Sequence, residues 1–315
     1  MPSSVEPIVS VVIPARDAAG FLPAALRSAQ DQTLQDLEIL VVDDGSRDST
    51  WPLLTGFAAE DRRIRPLRRA VAGGPAAARN LAFRQARGRW IALLDADDLF
   101  LPDRLGRLVP LAERLNADLL ADDLLRVDFD TGLPLGRHFG AAAASMKPIG
   151  LAEILRRDRP GAPDAPPRAI GYAQPLIRRD LLRRHAIGYD ENLPASEDLA
   201  FLFDCVAAGA RFMLAAEAYY VYRLRTGSVS RRPGLAAAQA AANRRIAHVA
   251  ISLGDREAAS LAAERQDVLD GMAVAEAALD GRWLGALSQA RWRWPRRLAT
   301  DLRVVAGAAR RRIVA

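Results

Sequence analysis

Four short apolar runs in the first hundred residues, three of them ending in a polar cluster, constrain this chain more than any other feature. "IVSVVIP" (8–14), "LEILVVDD" (37–44), the weaker "RIRPLRR" (63–69) and "RWIALLD" (89–95) read as strands. Between them lie helical patterns at 20–32, 49–60 and 73–88, the first with Leu22, Leu26 and Ala29 at helical spacing. Strands that are apolar throughout, separated by helices, predict a parallel sheet covered on both faces. A sheet of this kind binds ligands beyond the carboxyl ends of its strands. The clusters "PARD", "DDGS" and "DADD" fall there.

"IALLDADDLF" (91–100) poses the sharpest chemical question. Asp95, Asp97 and Asp98 follow directly on a buried strand, where like charges repel and desolvation is costly. Solvent, a helix N-terminus or a divalent cation could compensate them. A hard cation typically takes one or two protein carboxylates and completes its shell with diphosphate oxygens and water. In "VVDDGSRDST" (41–50) the local reading is a turn from Asp43 to Ser46, with Asp48 or Ser49 capping the next helix. A carboxylate just past the strand could also accept from a base imide or a ribose hydroxyl. "ASEDLAF" (195–201) places Ser196 to cap a helix, and acids in a first turn are favoured by its dipole. The alternative is that Asp198 is a general base. "YYVYRLRTGSVSRR" (219–232) is an aromatic strand opening into a basic loop: either a solvated loop or a lid whose Arg223 or Arg225 meets a diphosphate. His138, His185 and His248 lack metal-ligand spacing.

Charge narrows the function classes. The chain has 315 residues, enough for about two units, and a formal net charge of +6. From Arg282 onward nine arginines face one acid, Asp301, so this tail carries +8 and residues 1–281 carry −2. Basic charge confined to a tail, away from the strand ends, argues against a nucleic-acid-binding body. Lys147 is the single lysine, so a phosphate clamp must use arginine, histidine or metal. Cys205 stands alone, excluding an internal disulfide and compatible with a reducing cytoplasm; a small buried residue on a helix is its expected state. Neither a signal peptide nor a membrane span is expected from the hydropathy pattern.

Downstream, 102–116 reads as a helix and 118–130 as a strand with a turn. Residues 131–150 are rich in Gly and Ala, and 157–171 form a proline-rich loop. Residues 196–215 read as helix, glycine stop and strand, and the chain from about Leu235 is helical. The expected organisation is a catalytic domain over 1–233, with halves at about 1–130 and 131–233, and a helical extension over 234–315, basic from 282.

In their order, "VSVVIPARDAAGFLPAALRSAQDQTLQDLEILVVDDGSRDST", "GGPAAARNLAFRQARGRWIALLDADDLFLPDRL" and "SEDLAFLFDCVAAGARF" resemble the family 2 glycosyltransferases, densely over 8–130 and again over about 172–230. The resemblance implies a GT-A fold, a Rossmann-like α/β architecture with a mostly parallel central sheet. It further implies a nucleotide-diphosphate-sugar donor, usually a UDP-sugar, a divalent cation (Mn²⁺ or Mg²⁺) and inversion at the anomeric carbon. By matched position, Pro14, Ala15 and Asp17 belong to the first nucleotide-contacting loop, Asp44 to the base and Arg79 to the nucleotide side. Asp95 is matched to the ribose or donor sugar, Asp97 to the metal and Asp198 to the general base, and Arg225 is the expected diphosphate partner.

"PARD" departs from the aromatic and Asn common at that loop, and no Q-x-x-R-W element is present, which implies transfer of a single sugar. The implied acceptor is a hydroxyl of a glycan or lipid-linked saccharide, in surface polysaccharide biosynthesis. A cytoplasmic location follows, with the tail (Trp283, Trp292 and Trp294 among arginines) either on an anionic membrane surface or packed as a solvated helix. The rivals are a nucleotidyltransferase, which needs a Gly-rich basic loop where "IPARDAAGFL" stands, and a glycosyltransferase-like binding protein without activity.

Overall fold

The alternation of apolar runs and helices becomes β1 (Val9–Ala15), α1 (Leu22–Gln30), β2 (Leu37–Asp44), α2 (Thr50–Glu60), β3 (Ile64–Arg69), α3 (Gly74–Gln85) and β4 (Trp90–Leu93). The structure is a computed structural model and describes residues 6–140, 147–158, 160, 169–225 and 235–279. After β4 come β5 (Leu99–Phe100), α4 (Arg104–Arg114), β6 (Leu119–Asp128), β7 (Pro134–Arg137) and α5 (Leu151–Arg157). A 3-10 turn (Ile170–Tyr172) leads to β8 (Leu176–Arg178), α6 (Arg179–Arg184), α7 (Glu197–Ala207) and β9 (Phe212–Leu224). Two long helices, α8 (Ala236–Ser252) and α9 (Arg256–Leu279), end the described chain.

All nine strands join one sheet in the order β3-β2-β1-β4-β8-β6-β9-β5, with β7 on β6. The long pairings, β1 with β2 and β4, β2 with β3, and β6 with β9, are parallel. The antiparallel pairings, of β8 with β4 and β6, β5 with β9 and β7 with β6, span two or three residue pairs each. This is the Rossmann-like GT-A arrangement. Every residue of β2 is buried, as an unalternating apolar run requires of a strand covered on both faces. Each fully buried Val, Leu or Ile contributes about 1.5–3 kcal/mol.

The strands absent from the sequence reading, β5, β7 and β8, are two to four residues long and, unlike the four-residue β4, not buried throughout, so no apolar run marks them. Yet β8 is what joins the first parallel group to β6, and it brings Gln174 and the 169–172 segment alongside the end of β4. The C-terminal helices are not a detached appendage. Ile246, Ala250, Ala258 and Ala262 enter the core, Arg245 bonds both carboxylate oxygens of Asp204 on α7 at 3.0 and 2.6 Å, and Arg265 holds Asp158 at 2.8 Å. The helical reading from Leu235 therefore holds to residue 279; the basic segment from 282 lies outside the described residues. No helix among the described residues is long and apolar enough to cross a membrane. Cys205 is buried at 0% exposure, and burial pushes its thiol well above the usual range.

Candidate active site

A cleft of about 1240 Å³ opens at the carboxyl ends of β1, β2 and β4. Pro14, Ala15, Asp17, Asp44, Arg79, Asp95, Asp97, Asp198 and Arg225, the whole set expected from sequence, line it. The first wall is two loops sewn together. Asp17 holds a left-handed backbone (φ 47°), donates its amide to Ser46 Oγ at 2.9 Å and accepts the Arg47 amide at 2.8 Å. The Ala18 amide donates to Thr50 Oγ1 and the Ala19 amide to Asp48 Oδ2. Asp48 also accepts the Thr50 amide, and Asp43 accepts the Ser46 amide, so the expected turn from Asp43 to Ser46 is present. Ser49 makes no side-chain cap.

Asp44, 2% exposed at the end of β2, is a latch as well as a lining residue. Its carboxylate accepts the amides of Gly73 (3.0 and 3.1 Å) and Gly74 (2.7 Å) at the start of α3 and pairs with Arg69 at 3.0 Å. Gly74 has φ +83°, a conformation that suits glycine.

At the cleft floor Arg79, 3% exposed, answers the question for the first of the three acids. Its Nη2 donates to Asp95 Oδ1 at 2.7 Å and its Nη1 to Asp198 Oδ1 at 3.0 Å. Of the three acids it compensates Asp95, which shares the buried guanidinium with Asp198; an arginine from α3 lies outside the compensators expected from sequence. Asp95 also accepts from Gln174 Nε2 at 3.0 Å. Asp97 pairs with Arg225 at 2.9 Å, and that guanidinium lies 5.0 Å from the Phe21 ring centre. Asp98, the third acid, turns inward. It is 1% exposed and accepts from Tyr220 Oη (2.7 Å) and the Arg223 amide (2.8 Å), fixing the "DADD" turn to β9. Arg223 Nε donates to the Asp97 carbonyl, while its Nη2 is buried with no hydrogen-bond partner.

Burial pushes the carboxyl of Asp95 up, with Arg79 opposing and Asp198 and Asp97 adding their repulsion. Burial likewise raises Asp198, against the pull of Arg79, and Glu197 adds to the rise. A carboxylate with raised basicity, held at the edge of a cleft, suits proton abstraction.

The expected cap on α7 is not made. Ser196 sits in the left-handed region (φ 60°, ψ 24°) and its side chain forms no cap bond. A cap side chain must reach an N–H of the first turn from an extended backbone, and this conformation is not that one. What presents Asp198 to the cleft is a non-glycine left-handed residue, a strained backbone of the sort that persists where surrounding contacts over-determine it.

Four residues of the site's scaffold carry no sequence assignment: Asn80, Gln174, Tyr189 and Tyr220. Asn80 had a signal in its adjacency to Arg79. Tyr220 lay within the aromatic strand run. Gln174 and Tyr189 sit in irregular segments with no pattern to reveal them.

Among the described residues no three of His, Cys, Asp and Glu cluster as a complete metal cage. A cation that takes one or two carboxylates and fills its shell from a diphosphate needs no such cage. Asp97, half-buried with an oxygen beyond the one Arg225 holds, fits that donor set. The 226–232 part of the expected lid lies outside the described residues.

The sequence profile described as "Glycosyl transferase family 2" matches residues 10–179. The succinoglycan biosynthesis protein ExoO of Rhizobium meliloti is 34% identical over 225 residues, 71% of this chain and 63% of that protein. The structure of Staphylococcus aureus TarS 1–349 in complex with UDP-GlcNAc matches with a TM-score of 0.66 at 20% identity, over 89% of this chain and 79% of that one. A mannosyltransferase from Pyrobaculum calidifontis, PcManGT, in complex with GDP-Man and Mn²⁺, matches with a TM-score of 0.56 at 18% identity, over 97% and 87%. At such identities the two structures share the fold. The chain spans just under two thirds of the length of the first curated relatives it matches.

Proposed function

We propose, from the premise that the chain belongs to glycosyl transferase family 2, that it moves one sugar from a UDP-sugar to a hydroxyl of a saccharide or lipid-linked saccharide, with inversion. The observation that carries this reading is Arg79, which draws the donor-side acid Asp95 and the base candidate Asp198 onto one guanidinium. That arrangement supports a reacting centre between a diphosphate bound near Asp97 and an acceptor hydroxyl near Asp198.

In this reading Asp198 takes the proton of the acceptor hydroxyl as its oxygen bonds the anomeric carbon and the bond from that carbon to the diphosphate breaks. Asp44 and the loop from Pro14 to Asp17 hold the nucleoside. Asp95 orients the ribose or donor sugar. Arg225, on the neighbouring Asp97, and Arg223, with a buried unpartnered Nη2, supply positive charge to the diphosphate. Asp97 would hold Mn²⁺ or Mg²⁺, which when bound supplies Lewis-acid neutralisation of the leaving diphosphate.

The succinoglycan relative supports a role in surface polysaccharide biosynthesis. UDP-GlcNAc in one similar structure and GDP-Man in another make the base the first thing to test. Purified protein is incubated with UDP-sugars and GDP-mannose, Mn²⁺ and saccharide acceptors, and nucleotide release and product are followed. Release from UDP-sugars, dependent on acceptor, is the expected result; turnover of GDP-mannose alone overturns the UDP assignment. The location proposed is cytoplasmic, with the arginine-rich tail peripheral on an anionic membrane face.

A further inference from the structure

Gln174 has no role in the transfer just outlined, yet it holds one side of a carboxylate that does. Asp95 Oδ1 accepts Arg79 Nη2 at 2.7 Å and Asp95 Oδ2 accepts Gln174 Nε2 at 3.0 Å, so each oxygen has a fixed donor. The Asp95 side chain is still 27% exposed and lines the cleft, so the carboxylate can meet a ligand. A carboxylate only accepts, and the glutamine must therefore turn its nitrogen toward it. Its Oε1 is then enclosed with no hydrogen-bond partner among the described residues. A buried acceptor left unpaired destabilises the fold, and an apolar side chain of the same length would remove that penalty. What such a side chain could not supply is the bond to Asp95.

The backbone of Gln174 is placed without help from a ligand. Strands β4 and β8 pair antiparallel, with Ala92 opposite Leu176 as the last pair. Continued by two positions, that register leads to Leu94 and Gln174, beside Asp95. The Gln174 carbonyl accepts Arg104 Nη2 at 2.5 Å. Arg104 on α4 is wholly buried and bonds Asp122 on β6 at 2.8 and 3.0 Å, while Asp122 also accepts the Tyr219 amide of β9 at 2.9 Å.

We propose that Gln174 is the positioning residue of Asp95, its Nε2 and Arg79 Nη2 together setting the angle at which the carboxylate meets a hydroxyl of the transferred sugar. The proposal rests on the reading of the chain as a UDP-sugar transferase. Arg79 joins Asp95 to the base candidate Asp198, and the carbon under attack must lie beside that base. Asp95 therefore faces the sugar, and the ribose is left to the nucleoside side. The backbone of Asp95 follows from β4, so loss of the glutamine amide frees the carboxylate and leaves the strand in place.

The test uses Gln174→Met, which keeps the length and donates nothing, and Gln174→Glu, which keeps the shape and sets an oxygen against Asp95 Oδ2. In the full-length protein with Mn²⁺, calorimetry compares UDP with UDP-glucose, UDP-galactose and UDP-GlcNAc. Both variants should bind the UDP-sugar preferred by the wild type about tenfold more weakly, the low end for a hydrogen bond to a charged group. UDP itself should bind as before. Titration stoichiometry counts the folded fraction, so a partly unfolded variant still reports both affinities. In an Asp95→Asn background, Gln174→Met should cause no further loss. A merely structural glutamine would lower the melting temperature and leave UDP and UDP-sugar affinities in their wild-type ratio, which overturns the proposal. An undiminished tenfold loss in the Asp95→Asn background also overturns it, since Gln174 would then act without Asp95. A wild type that binds neither UDP nor any of the three UDP-sugars removes the donor reading, and the proposal with it.

Discussion

The two walls of the cleft are built by different means. On the donor wall, Pro14, Ala15, Asp44 and Asp95 lie in β1 or β2 or within two residues of β4, and parallel pairing with a neighbouring strand places their backbone. On the opposite wall Asp198 follows a left-handed serine. It is held by a side chain from elsewhere, the Arg79 guanidinium, which lies 5.1 Å from the Tyr189 ring that Asn80 and Phe201 fix in turn. A wall placed by backbone keeps its shape when one side chain changes. A wall placed by side-chain bonds transmits such a change to the reacting group.

The strongest way to break this contrast is Asp198→Asn. Asparagine keeps an Oδ1 to accept from Arg79 but cannot take the acceptor's proton. General-base catalysis is worth about 10²–10⁴-fold, so transfer should fall at least about a hundredfold while UDP affinity holds and the melting temperature drops by a few degrees at most. Glu197→Gln is the milder control. Transfer within a few-fold of wild type would move the base elsewhere and leave the far wall with no catalytic role.

Asp97→Ala acts on the donor wall and separates ligand from shape. Calorimetry should find UDP bound tightly only with Mn²⁺ or Mg²⁺ in the wild type, and the metal-dependent part gone in the variant. Equal UDP affinity in EDTA and in Mn²⁺ would remove the cation from the site.

Gly88→Ala probes the backbone wall itself. A Cβ there would lie 2.4 Å from the Ser10 amide nitrogen and 2.6 Å from the Val9 carbonyl carbon, main-chain atoms that cannot yield without shifting β1. Overpacking of this kind costs about 1–3 kcal/mol. A lowered denaturation midpoint is expected, with the pH profile of transfer unchanged in the folded fraction; a shifted acid limb would mean the two walls are not independent.

The smallest effect concerns the tail, which the contrast predicts to be separable from both walls. Basic residues near an anionic surface contribute about 1 kcal/mol each. Co-sedimentation with anionic vesicles should weaken on cutting before Arg282 and on raising salt, while UDP affinity stays put. Vesicles that fail to capture the intact protein would refute membrane contact.

The donor wall was legible because its information is local. Strands β1, β2, β3 and β4 begin and end within about two residues of their apolar runs, since a strand buried on both faces must be apolar throughout. Carboxylates that end such a run must lie at the ligand edge. β5, β7 and β8 left no such trace: unlike the four-residue β4, none of them is buried throughout, so none has to be an apolar run.

Sequence by itself determined the order of β1 to β4 with the helices between them and the edge on which the acids gather, because periodicity and strand ends are properties of consecutive positions. Only the tertiary structure decided how the acids coexist. Arg79 and Asp198 stand 119 positions apart, Tyr189 and Asn80 109. Charge compensation in a buried site depends on distances of about 3 Å, and such distances exist only once the chain has folded.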